Sequence, residues 1–152
     1  MNISKTVFFL IALHCLHAGC SDDTPIDPTA WRSVFAQPID RSVLSVMGHA
    51  ADDIYFAGGG LGAGPGSLAL HFDGQTWRQL DVGTTATLWW VWADAQGSSQ
   101  WWVGEQGTIL RGDGTTFEQI PSNTTVTLFG VWGASASDVW IVGGDIASRW
   151  PT

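Results

Sequence analysis

The residues of this 152-residue chain that could do chemistry are few, and their spacing pairs none of them. Beyond residue 20 the only histidines are His49 and His71. A zinc site needs three or four Cys, His or carboxylate ligands converging on one point, and these two fall in different strands or turns. Calcium wants several oxygens from one loop; Asp52, Asp53 and Asp138 read as turn residues at strand entry. A glycosidase sets two carboxylates across a pocket. Asp94, Glu105, Asp113 and Glu118 could supply the atoms, but nothing in their spacing pairs them. Arg32, Arg41, Arg78 and Arg111 are scattered, and Tyr55 lies in an apolar stretch. No G-x-S-x-G nucleophile motif occurs. The expectation is a chain with no catalysis of its own, no metal and no cofactor.

The cysteines are Cys15 and Cys20. A short polar region with Lys5 precedes the apolar run VFFLIAL at residues 7–13. That run is too short for a spanning helix, which needs roughly 20 apolar residues, and it fits a secretory signal. The following LHAGC resembles the lipobox of bacterial lipoproteins, with Ala18 and Gly19 before the cysteine and His17 where Leu is usual. The resemblance implies a signal peptide over 1–19 and a lipid on Cys20, which becomes the first mature residue. It implies a membrane partner through that lipid and an extracytoplasmic, outer-membrane address. Residues 20–30, with Pro25, Pro28 and three aspartates, read as a tether.

Net charge is −8, and Lys5 is the only lysine. An acidic, nearly lysine-free chain is a poor partner for nucleic acid, whose affinity rests on phosphate contacts. Hydrophobic residues make up 45% of the chain and charged ones only 13%, which predicts a packed core rather than disorder.

What must position any site is a set of short strands. In LWWVWA, at 88–93, strict alternation puts Leu88, Trp90 and Trp92 on one face and Trp89 and Val91 on the other. Both faces are apolar, as in a strand covered on both sides. The aromatics are therefore expected mostly in the core. Three stretches align: SVMGHAADDIYFAGG from Ser45, WVWADAQGSSQWWVGE from Trp90 and GVWGASASDVWIVGG from Gly130. Val46, Val91 and Val131 correspond, as do Gly58, Gly104 and Gly143. LALHFDGQTW at 68–77 matches TILRGDGTTF at 108–117. Each unit reads as four strands, in the second unit near 77–82, 88–93, 100–104 and 108–112. Asp73-Gly74 and Asp113-Gly114 are tight-turn dipeptides.

Four strands in about 40 residues is the signature of a propeller. The units resemble the Trp/Gly-rich propeller repeats of secreted or lipid-anchored bacterial proteins. They are similar, more distantly, to kelch, Asp-box and photosystem-assembly-factor propellers. The expected fold is all-β and β-propeller-like: about three four-stranded antiparallel blades over 31–145, with units near 31–76, 77–116 and 117–145. The last unit is incomplete and is followed by a non-repeat tail at 146–152, which reads as a truncation.

The function expected is a lipid-anchored binding or scaffold module with a protein or glycan ligand. The alternatives are a lectin-like propeller assembled by oligomerisation and a fragment of a larger propeller enzyme. The loops 83–87 and 121–125, with Thr84, Thr85, Asn123 and Thr124, carry hydroxyls suited to glycan or peptide contacts. Trp92 and Trp132 are candidate stacking residues. Three units leave two apolar faces uncovered, so self-association is expected, as a dimer pooling six units or as precipitate. If Cys20 carries lipid, the protein enters the detergent phase and labels with a palmitate analogue, and Cys20→Ala abolishes both. Full labelling of that variant contradicts the assignment.

Overall fold

The computed structural model describes residues 30–60 and 66–145. The signal segment, Cys20, most of the tether, the centre of the 59–66 loop and the tail at 146–152 lie outside the described residues. Contacts divide the chain at residue 34 into two units. The second, Phe35–Thr152, carries every strand described: ten strands, arranged as three antiparallel sheets.

The first sheet is the meander β1 (Ser42–Ala50), β2 (Asp53–Gly59), β3 (Ser67–Phe72) and β4 (Trp77–Gln79). The second is β5 (Leu88–Ala93), β6 (Gln100–Gly104), β7 (Ile109–Gly112) and β8 (Phe117–Gln119). The third is the pair β9 (Thr127–Ser135) and β10 (Asp138–Gly144). The expected strands at 88–93 and 100–104 are β5 and β6. The strand beginning at Trp77 pairs with β3 and completes the first sheet, so the sheets are displaced by one strand from the sequence units. Residues 30–41 form no strand.

All three sheets share one local device. The pairing of first and second strands skips Leu44, Trp89 and Phe129, a β-bulge in each sheet. Opposite the bulges stand Gly58, Gly104 and Gly143. A Cβ on any of them would collide with a backbone carbonyl, of Ser42, Thr87 and Thr127 respectively. The bulge corrects the alternation read from the sequence. Trp90 and Trp92 share a face, but Leu88 moves to the other face and is buried with Val91 and Trp102.

The sheets bury their faces against one another in order. Tyr55, Ala57 and Ala69 of the first meet Leu88, Val91, Trp102 and Leu110 of the second. Trp92, Val103 and Ile109 on the other face of the second meet Leu128 and Val131 of the third. Trp102 is fully buried, and Trp92 packs its ring where a side chain on Gly133 would stand. The bulged Trp89 and Phe129 meet edge to face, with ring centroids 5.3 Å apart. Not every aromatic is core: Trp90, Trp132 and Trp140 are exposed.

Gly104→Ala is expected to destabilise the protein by about 3 kcal/mol or more, because the colliding atoms are backbone. Gly144→Ala, with nothing within 4 Å of its Cβ position, changes stability by less than about 0.5 kcal/mol. Urea unfolding of the two variants checks the contrast. Equal midpoints would contradict the close approach at Gly104.

Candidate functional site

The end of the sheets that carries the β3–β4, β5–β6 and β7–β8 turns holds a cluster of polar side chains. Two of these turns are built alike. Asp73 Oδ1 accepts from the backbone N–H of Gln75 (2.9 Å) and Thr76 (2.8 Å), and Gly74 takes φ 87°. Asp113 Oδ1 accepts from Thr115 and Thr116, both at 2.8 Å, and Gly114 takes φ 86°. The loops are four residues long, since Phe72 pairs with Trp77 and Gly112 with Phe117. The amides of Thr76 and then Gln75 lower the Asp73 pKa, and those of Thr116 and Thr115 lower that of Asp113.

Counting outward from the first turn puts Tyr55, His71 and Arg78 side by side on β2, β3 and β4. Tyr55 and His71 stack at 4.4 Å. Arg78 Nη2 donates to His71 Nδ1 (3.3 Å) and to the Gly114 carbonyl (3.2 Å). An imidazole accepting at Nδ1 carries its proton on Nε2, which then donates to Asp53 Oδ1 at 2.8 Å. Gln100 Nε2 donates to the Tyr55 hydroxyl at 3.1 Å across the junction of the two sheets. Burial, and then the neighbouring Asp53 carboxylate, push the Tyr55 pKa up to about 12. Two buried atoms here, His49 Nε2 and Gln100 Oε1, have no partner among the described residues. Asp94 is buried too. Burial raises its pKa, but the Ser98 hydroxyl and the Ser99 and Ser98 amides outweigh that, and the net shift is downward.

The second sheet places different residues at the matching positions. Where the first has Asp53, Tyr55, His71 and Arg78, the second has Ser99, Trp101, Arg111 and Glu118, by the same register. The Arg111 guanidinium lies 5.6 Å from the Trp101 ring centroid, and its Nε is 3.4 Å from Ser99 Oγ. No carboxylate within 4.0 Å pairs with Arg111 among the described residues. Arg111 and Glu118, with Ser98, Ser99, Asp113 and Thr116, border an open cavity of about 290 Å³. This is the candidate site.

The site residues expected from sequence are dispersed. Thr84 borders a second depression, of about 480 Å³, at the opposite end of the sheets. Its Oγ1 accepts from Ala86 N (3.2 Å) and its carbonyl from Ser67 Oγ (2.6 Å). Thr85 is exposed. Asn123 holds φ 55°, as Gly83 holds φ 68°, and Thr124 Oγ1 accepts from Val126 N at 3.3 Å. The Thr84 and Thr124 hydroxyls thus hold their own turns. Trp132 is 60% exposed on the third sheet, paired with Trp140. Trp92 is not exposed: it is buried against Gly133 and cannot stack on a ligand. Cys20 lies outside the described residues. Among them, no three His, Cys, Asp or Glu residues converge on a metal-sized point.

Arg78 and Arg111 look scattered in the sequence, Tyr55 lies in an apolar stretch and His71 falls apart from His49, yet the fold places Tyr55, His71 and Arg78 side by side and Arg111 at the matching position of the second sheet. The signal was present, because His71 and Arg78 lie symmetrically about the Asp73-Gly74 turn, as Arg111 and Glu118 lie about Asp113-Gly114. Set against known proteins, the chain matches no family model, no curated protein and no solved structure.

The pKa shifts fix two edges of stability. Asp73, Asp94 and Asp113 are lowered in the fold, so their contribution is present above the unfolded value, about 3.9, and fades as pH falls through the folded values. Tyr55 is raised, so its contribution is full below about 10 and is lost as pH rises toward about 12. Thermal melts across pH should fall at both edges. Tyr55→Phe should flatten only the alkaline one, and an unchanged alkaline limb would refute the role of Tyr55.

Proposed function

We propose that this chain is a propeller-like binding module without catalysis of its own, held outside the cytoplasm by lipid on Cys20. On this reading each meander is a blade, and a common framework carries different side chains at its turn end. The observation that carries the reading is the exchange at matching positions. Asp53, Tyr55, His71 and Arg78 tie the first sheet to the second through bonds to Gln100 and Gly114. Arg111, Ser99 and Glu118 stand at the same places around an open cavity. Residues that hold the framework recur, and those that would meet a ligand do not.

The chemistry around Arg111 favours a glycan. The Arg111 guanidinium, the Ser98 and Ser99 hydroxyls and the Asp113 and Glu118 carboxylates offer donors and acceptors around a cavity that Phe117 also borders. A cavity of about 290 Å³ lies near the lower end of the size range for small-ligand sites, about one or two sugar residues. Arg111→Ala removes the donor fork and should weaken binding at least tenfold, equivalent to about 1.4 kcal/mol. Glycan-array screening of the full chain followed by titration calorimetry measures it. Binding unchanged by Arg111→Ala, or no glycan bound, would set this reading aside.

A further inference from the structure

Two sheet faces are covered by no other described sheet, and their residues can be matched by register to the faces buried at the two junctions within the chain. At the first junction, Leu88 and Val91 of the second sheet are buried against the face of the first sheet that carries Met47, Tyr55 and Ala57. At the second, Leu128 and Val131 of the third sheet are buried against Trp92 and Val103. Each junction therefore joins the face that carries Leu88 and Val91, or Leu128 and Val131, to the opposite face of the sheet before it.

The remaining two faces have the same two characters. On the first sheet, Val43 and Val46 occupy the register positions of Leu88 and Val91 and are 39% and 62% exposed. Phe35 meets Phe56 of β2 edge to face and Trp77 of β4 at a tilt on that face. The inner strand, with Val46 and Gly48, stays open. On the third sheet, Trp132, Trp140 and Val142 occupy the positions of Trp92, Trp101 and Val103 and are 60%, 68% and 65% exposed.

The fit extends to one knob and one hole. Trp92 places its ring where a side chain on Gly133 would be, with the nearest ring carbon 2.7 Å from that Cβ position. Trp132 is the match of Trp92, and Gly48 is the match of Gly133. The junction with a bulky ring has glycine opposite, and at the other junction the same two positions hold Met47 and Ala93. The unused pair is again tryptophan and glycine. A Cβ on Gly48 would meet only ordinary contacts, 3.5 Å or more away, within its own chain.

We propose that a second copy of this chain docks head to tail. The Trp132–Trp140–Val142 face of one copy seats on the Val43–Val46–Gly48 face of the next, with Trp132 over Gly48. This continues the sheet-to-sheet interface from chain to chain and is independent of the ligand at Arg111. Because the two halves differ, the contact is heterologous and each copy keeps one free face of each kind until the assembly closes.

The test uses the full chain carrying Cys20→Ala and two face variants. One is Trp132→Glu with Trp140→Glu; the other is Val46→Glu with Gly48→Leu. Circular dichroism first confirms that each retains the parent's strand signal. Sedimentation velocity at micromolar concentration should show the parent associated and each variant monomeric. Mixed in equal amounts, the variants should form a one-to-one dimer through their single intact pair of faces and grow no further. A monomeric parent, a variant that still self-associates, or a mixture that stays monomeric would each overturn the proposal.

Discussion

Three glycines govern this structure by what they lack. At Gly58, Gly104 and Gly143 the backbone carbonyl of the neighbouring first strand lies in the space a Cβ would fill. That approach accompanies the extra residue in the first strand, and the bulged residue is Leu44, Trp89 or Phe129. A bulge of this kind sharpens the local twist and re-aims the side chains before it. Leu88 and Leu128 are thereby turned to the same face as Val91 and Val131, and each pair is buried in the sheet before it. The displaced Trp89 and Phe129 find each other at the sheet edge. One constraint thus sets register, face and stacking together.

Much of this was legible in the sequence. The apolar runs, the Asp-Gly turns and the matched glycines located the strands of the second sheet to within one residue at β5, β6 and β7. The strand expected over 77–82 ends at Gln79, although Leu80 and Val82 are buried. What period-two counting could not show was the bulge, because one extra residue leaves the composition of LWWVWA unchanged while moving Leu88 to the other face. The burial of Trp92 was equally hidden, since it depends on Gly133 in another sheet. Thr84 and Thr124 looked like binding residues because hydroxyls in loops also serve turns.

The polar end of the sheets shows how one framework takes different chemistry. A cross-strand aromatic beside a cationic or imidazole side chain occurs in both four-stranded sheets, as Tyr55 with His71 and as Trp101 with Arg111. In the first, Asp53 and Arg78 close the polar chain onto the neighbouring sheet. In the second, the guanidinium makes a long bond to Ser99 and borders an open cavity. Local turn chemistry at Asp73 and Asp113 is the same in both, so the difference lies in the side chains and not in the backbone that presents them.

The sheets stack in one sense, with the Trp92 ring lying over Gly133. The ring current of an indole shifts protons above its plane strongly upfield. Proton NMR with assigned Gly133 Hα resonances is therefore the most direct measurement. At least one Gly133 Hα is expected well upfield of ordinary glycine, with nuclear Overhauser contacts to the Trp92 ring, and both features should be lost in Trp92→Leu. Gly133 resonances at ordinary positions with no contact to that ring would contradict this stacking.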